Sequence, residues 1–153
     1  MKSFNPGLKA AYLLLLEAVK PFRRKVGSLG TLSFQAGYYV YVGSALGPGG
    51  VEARVKRHRR LAEKEKLKLK WHIDYLLSAE PVRLKAVWAV ETGKPLECEL
   101  SRRVKKISAG FIQGFGASDC REGCPSHLYF FKENPESSLL SLLEEFKVKK
   151  IYG

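Results

Sequence analysis

The chain of 153 residues carries 27 Lys and Arg against 15 Asp and Glu, a formal charge of +12 at neutral pH and a pI of about 9.7. With 45% apolar residues, a chain of this length buries a core of its own, which excludes a multidomain machine and argues against disorder. The cationic surplus makes nucleic acid the first partner to consider and an anionic membrane surface the second. No membrane span is expected, because the long uncharged run at residues 26–51 is rich in Gly and carries Ser, Thr and Gln. The apolar stretch Leu13 to Leu16 is interrupted by Glu17 with no small-residue cleavage site after it, so a cytoplasmic location is expected rather than secretion. Three cysteines in a reducing compartment point to thiols or a metal site more than to a disulfide framework.

Residues 11–19, AYLLLLEAV, form an apolar run of strand length. Residues 22–36 mix β-prone side chains with Gly27, Gly30 and the following Gly37, which predicts a short hairpin before a second main strand at Tyr38 to Val42, antiparallel to the first. Pro48 and Gly49 halt that strand, and a helix is predicted from near Val51. Residues 71–77, WHIDYLL, read as a buried helical turn, Pro81 to Val90 as a third core strand, and 95–107 as a helix with acidic residues early and basic residues late. A Gly-rich loop, a Cys/His cluster, a short strand HLYFF and an amphipathic helix from about Pro135 to Phe146 follow. The predicted fold is α+β, one domain over residues 1–153, with a small antiparallel sheet of three core strands plus the extra hairpin, flanked by helices.

Between Arg54 and Lys70 stand nine Lys or Arg and two Glu, the main basic patch. On a helical wheel from Val51, Lys56, Arg57 and Arg60 point outward, and with Arg59 and Lys64 they are the candidate nucleic-acid contacts. Arg54 and His58 instead form an (i, i+4) pair on the flank of the apolar stripe defined by Val55 and Ala62. His72 and Asp74, two residues apart on a helix, do not face each other and are read as structural. Gly49 and Gly50 leave room for a phosphate at the amides that open the helix, or simply shape the turn. Cys120, Cys124 and His127 lie at Cys-x3-Cys-x2-His spacing, with Cys98 a fourth candidate, and thiolates with imidazole are the ordinary ligands of Zn²⁺; a Cys120 to Cys124 disulfide is the alternative.

AlaAlaTyr at 10–12, TyrValGlySer at 41–44 and GluAlaArgValLysArgHis at 52–58 resemble the GIY-YIG nuclease superfamily. GYYVYVGSALGPGG, WHIDYLL, Glu97 with Cys98, and GFGASDC with the following SHL are similar to an uncharacterised GIY-YIG-like subfamily, some of whose members are fused to endonuclease III-type repair enzymes. The resemblance implies a metal-dependent endonuclease with the residues after about 108 as a C-terminal extension, acting on nucleic acid, DNA being favoured, with a repair enzyme as a candidate partner. It implies Tyr12 as the first-motif tyrosine and general base, Tyr41 as the second-motif tyrosine orienting water or phosphate, and Arg54 as the essential arginine. His58 would relay a proton or bind phosphate, and Glu97, with Glu99 as the competing choice, would hold Mg²⁺ or Mn²⁺. The chain departs from the pattern in having Ala10 and Ala11 where the family has Gly and Ile. It also carries an inserted segment over about Pro21 to Gly37, expected to cover or reshape the cleft, and has no counterpart of a late Asn. The alternatives to catalysis are a DNA- or RNA-binding module with a degenerate nuclease fold, and a zinc-stabilised adaptor docking on a repair or RNA-processing enzyme.

Overall fold

A computed structural model describes residues 10–45, 50–91, 95–117 and 122–153. The elements in chain order are β1 (Ala10–Ala18), β2 (Phe22–Lys25), β3 (Thr31–Phe34), β4 (Gly37–Ala45), α1 (Gly50–Ala62), α2 (His72–Leu77), β5 (Val82–Glu91), α3 (Glu97–Ile107), β6 (Gly110–Phe111), β7 (Leu128–Phe131), α4 (Glu136–Leu142) and β8 (Lys147–Tyr152). A six-stranded sheet runs in the order β6-β7-β4-β1-β5-β8, every neighbouring pair antiparallel. The chain is therefore α+β, and the three expected core strands are the centre of the sheet, β4-β1-β5.

Why β1 is central follows from its composition. It is apolar on both faces, and every residue but Glu17 is buried, as a strand covered from two sides requires. Tyr12, Leu14 and Leu16 face a core shared with Val51, Val55 and Leu61 of α1 and Ile73, Leu76 and Leu77 of α2. Ala11, Leu13 and Leu15 face the other core, with Leu96, Leu100 and Val104 beside α3 and Leu139 and Leu143 beside α4. Helices thus cover both faces, and the alternation of β1 decides which side chains meet which pair of helices.

The sheet is wider than three strands because β7 and β6 extend it beyond β4 and β8 extends it beyond β5. The predicted helix from Pro135 to Phe146 is confined to Glu136–Leu142, and Lys147–Tyr152 then pairs with β5 as an edge strand. Its sequence KVKKIY is too short and too cationic to stand out by hydropathy; lysines on an outer strand discourage further pairing. The inserted segment forms β2 and β3, an antiparallel hairpin outside the main sheet. Arg24 of that hairpin donates to the Tyr75 carbonyl at 3.0 Å and to Ser78 Oγ at 2.8 Å, which lays the hairpin against α2 on the Tyr12 side of the sheet. Among the described residues no helix is long and apolar enough to cross a membrane.

Candidate active site

Tyr12 and Gly43 are direct partners across β1 and β4, and Tyr41 is opposite Leu14, so both tyrosines project from the same face of the sheet. Gly43 is required by close approach: a Cβ there would come within 2.4 Å of Tyr12 Cζ, so the ring lies across the glycine. Gly116 plays a similar part for Tyr41, since it has φ +69° and a Cβ on it would come within 3.0 Å of Tyr41 Cε1. Its amide donates to His72 Nδ1 at 2.8 Å, which ties the Gly-rich loop to the start of α2.

From α1, His58 reaches the sheet and places Nε2 2.7 Å from the Tyr12 hydroxyl, both residues being 1% exposed. Burial pulls the His58 pKa down to about 4, against the nearby Asp74 carboxylate, which raises it; the imidazole is neutral at pH 7. Burial also raises the Tyr12 phenol well above its ordinary value, while Arg54 opposes this through its charge and by hydrogen bonding to the phenol. The Tyr12 hydroxyl and His58 Nε2 share one hydrogen bond, whose donor is set by the imidazole tautomer. Tyr41, half-buried, is likewise raised well above the ordinary phenol range by burial, with Tyr12 and Glu97 adding to the effect and Arg54 opposing it.

Arg54 is oriented by two contacts that the sequence does not announce. Its Nη1 donates to the Ser44 carbonyl at 3.2 Å, and its guanidinium lies 4.5 Å from the centre of the Trp71 ring. Arg57 and Lys70 approach the same ring at 5.4 and 4.8 Å, so Trp71 gathers three cations beside the two tyrosines.

Glu97 stands in the first turn of α3, on the opposite layer, yet its charge acts on both Tyr12 and Tyr41. Its Oε2 is 3.4 Å from His127 Nδ1, and its side chain is 30% exposed. The competing Glu99 instead pairs with Arg103 at 2.9 Å, and Arg103 also binds Glu145 at 2.8 Å. Of the two, Glu97 is the one whose charge reaches the tyrosines. Cys98, next in sequence, converges with Cys124 and His127, the three ligand atoms lying within 4.8 Å of one another. Cys120 and Gly49 lie outside the described residues.

The cationic surface is smaller than the sequence predicts. Lys56, Arg59 and Arg60 are exposed, with Arg60 paired to Glu65 and Arg59 stacked 4.7 Å from the centre of the Tyr152 ring. Arg57 does not point away: it donates to Asp74 Oδ2 and to the Lys68 carbonyl, both at 2.7 Å. Lys64 also turns inward, its ammonium donating to the carbonyls of Leu77, Ala79 and Val82 at 2.8, 2.7 and 2.8 Å. These contacts hold Lys64 at φ +65°, just past the end of α1. Arg57 and Lys64 therefore knit α1 to α2 and β5. A wheel misses this because it knows nothing of the carbonyls a returning chain brings alongside.

As expected of a structural residue, Asp74 accepts the Lys70 and Trp71 amides on its Oδ2 at 2.8 and 2.9 Å at the start of α2. Its Oδ1, however, is buried and has no hydrogen-bond partner among the described residues, as is true of His58 Nδ1 and Arg57 Nε. These three atoms belong to residues joined to one another or to Tyr12, a role no spacing in the sequence signals.

The family of proteins described as Domain of unknown function DUF123 matches residues 11–148, nearly the whole of the chain. No curated protein and no solved structure matches it.

Proposed function

The chain belongs to the DUF123 family, and from that premise and the geometry above we propose that it is an endonuclease hydrolysing phosphodiester bonds in nucleic acid, DNA in the first instance. What carries the proposal is the 2.7 Å approach of the Tyr12 hydroxyl to a neutral His58, with Arg54 and Glu97 close enough to act on the same phenol. A water attacking phosphorus gives its proton to the Tyr12 oxygen as that phenol passes its own proton to His58, so no free phenolate has to form first. The Arg54 fork, already aimed by Ser44 and Trp71, meets the charge that grows on the phosphate oxygens, and the ester oxygen leaves opposite the entering water. Tyr41, at the open side of the pair, orients the water or the phosphate. A single, partly exposed carboxylate suits Mg²⁺, which retains most of its waters; Glu97 would hold Mg²⁺ or Mn²⁺, which would supply positive charge to the phosphate. Exposed Lys56, Arg59 and Arg60 track the backbone of the polymer.

The experiment is cleavage of a labelled panel of duplex, branched and single-stranded DNA and RNA with Mg²⁺, Mn²⁺ or EDTA, comparing wild type with Arg54→Ala and Glu97→Gln. Metal-dependent products lost in both variants support the proposal; full activity in Arg54→Ala overturns it. A second reading draws on the burial of Tyr12 and His58, each 1% exposed: a nucleic-acid-binding module in which the pair is part of the core. It predicts tight, salt-sensitive binding with no products from any substrate.

A further inference from the structure

We propose that Cys98, Cys124 and His127 form a Zn²⁺ site that clamps the first turn of α3 to the loop entering β7, with Glu97 as the carboxylate partner of the zinc-bound imidazole.

Two sulfurs and one imidazole nitrogen converge within 4.8 Å of one another, from segments separated by the whole of α3 and the Gly-rich loop. In a tetrahedral zinc site the metal lies about 2.3 Å from sulfur and about 2.0 Å from nitrogen, so the three atoms need close by only about 1 Å to share one ion. All three residues are nearly buried, with exposures of 8%, 9% and 2%. The ligand set is soft and nitrogen-containing, which selects Zn²⁺ over the hard cation expected at a lone carboxylate.

The loop carrying two of the ligands is held in place before any metal arrives. Ser101, one turn after Cys98, donates its hydroxyl to the Ser126 carbonyl at 2.9 Å, and the Tyr129 hydroxyl donates to the same carbonyl at 2.6 Å. Ser126 Oγ accepts the Leu128 amide at 2.9 Å, and the His127 amide donates to the Phe115 carbonyl at 2.8 Å. Ser126 thus anchors the loop midway between Cys124 and His127, against the same helix that bears Cys98, so little ordering is left for the metal to impose.

His127 Nδ1 faces Glu97 Oε2 at 3.4 Å, so Nε2 is the nitrogen that would bind the metal. An imidazole that binds zinc through one nitrogen and donates from the other to a carboxylate has its tautomer and ring plane fixed by that carboxylate. The same contact steadies Glu97, so the zinc acts as a positioning element for the carboxylate whose charge acts on Tyr12 and Tyr41. The fourth coordination position belongs to water or to another protein ligand. The site stands on its own chemistry and does not depend on the chain being a nuclease.

The test is metal analysis of full-length protein purified under reducing conditions, with and without added ZnCl₂, followed by gel filtration. About one zinc per chain is expected, and X-ray absorption at the zinc edge should show sulfur and imidazole scattering. Replacement by Co²⁺ should give thiolate-to-cobalt charge-transfer absorption and the intense visible bands of tetrahedral cobalt. Cys124→Ser and His127→Ala should each weaken zinc retention by at least tenfold. Should those variants fail to fold, chelator-driven zinc release from the wild-type protein, followed by a drop in melting temperature and its recovery on adding ZnCl₂, supplies the same evidence. Wild-type protein that retains no zinc after incubation with excess ZnCl₂, or a zinc edge without sulfur scattering, overturns the proposal.

Discussion

The two faces of the sheet each bury a group of polar side chains, and the two groups are completed in opposite ways. Beside α3, the Ser101 and Tyr129 hydroxyls meet each other and the Ser126 carbonyl, and the Ser126 hydroxyl bonds the Leu128 amide, so each of the three hydroxyls has a partner. Beside α1 and α2, Tyr12 and His58 are joined and Arg57 and Asp74 are joined, but His58 Nδ1, Asp74 Oδ1 and Arg57 Nε are buried without hydrogen-bond partners among the described residues. A closed network of this kind rigidifies a fold, whereas an incomplete one carries a standing cost of about 1–3 kcal/mol for each unsatisfied group. Folds retain such a cost chiefly where chemistry needs it, so the contrast supports placing the proposed site beside α1 and α2.

The largest effect that bears on this contrast is at the margin of the incomplete group. Arg54→Ala should lower cleavage by on the order of 10²–10³-fold, the usual result of removing one donor that meets transition-state charge. Arg54→Lys should recover little of it, because an ammonium keeps the charge and loses the planar fork and its stacking on Trp71. Melting temperature should stay near that of the wild type in both, since the guanidinium makes a single backbone contact, to Ser44. Cleavage kinetics beside a thermal melt check this, and a loss of fold matching the loss of activity would place Arg54 with the scaffold.

Acid stability gives the next largest effect. The His58 pKa falls from 6.5 in the unfolded chain to about 4 in the folded one, so between those values the unfolded state binds the extra proton. Stability is therefore whole above pH 6.5 and declines as pH falls towards 4, by about 3 kcal/mol for a shift of this size. His58→Leu cannot take up that proton and should lack this part of the acid limb, although it leaves the Tyr12 hydroxyl without its acceptor and is less stable at pH 7. Urea midpoints of both proteins at a series of pH values give the difference, and parallel curves would mean that folding does not shift the His58 pKa.

How much of this was legible in the sequence depends on the distance over which each feature is determined. β1, β4, α1, α3 and the hairpin are set by local hydrophobic runs, glycines and charge order, and they stand where those signals put them. Strand β8 is set by its neighbour: KVKKIY has little hydrophobic signal of its own and becomes a strand because β5 offers an open edge. Tyr12, Tyr41, Arg54, His58 and Glu97 take their expected roles from motif resemblance, while Trp71 and Asp74 lie in the WHIDYLL motif without a role legible there, because their parts arise only when α2 is folded against α1. The inward turn of Arg57 and Lys64 was hidden for the same reason. Their acceptors, Asp74 and the Lys68, Leu77, Ala79 and Val82 carbonyls, lie 11 to 18 residues further along the chain.

Packing between the two tyrosine strands offers a way to disturb the incomplete group without touching its polar atoms. In Gly43→Ala the new methyl would collide with the Tyr12 ring, and the ring, wedged between β4 and α1, has to move. A cost of about 1–3 kcal/mol is expected from overpacking, about 2–9 °C in melting temperature for a domain of this size. Cleavage should fall by more than the stability change explains, because the hydroxyl is displaced from His58. Equal activity of the folded fraction in mutant and wild type would show that the Tyr12–His58 contact has no part in the chemistry.

The smallest effect is expected from the closed group. Tyr129→Phe removes one hydroxyl, yet the Ser126 carbonyl keeps its bond from Ser101, and Ser101 Oγ keeps that carbonyl as its acceptor. Among the described residues no buried group is left without a partner, so the loss is that of one hydrogen bond, about 0.5–1.5 kcal/mol. The phenyl ring still fills the apolar space beside Val40, Leu100 and Phe131, which limits any cavity. Metal-dependent cleavage and the acid limb of stability should both be unchanged, because Tyr129 faces away from Tyr12 and His58 across the sheet. A melt and a single cleavage time course suffice. A large fall in activity here would mean that the two faces are coupled through the loop from Cys124 to His127, and that the closed group also sets the position of Glu97.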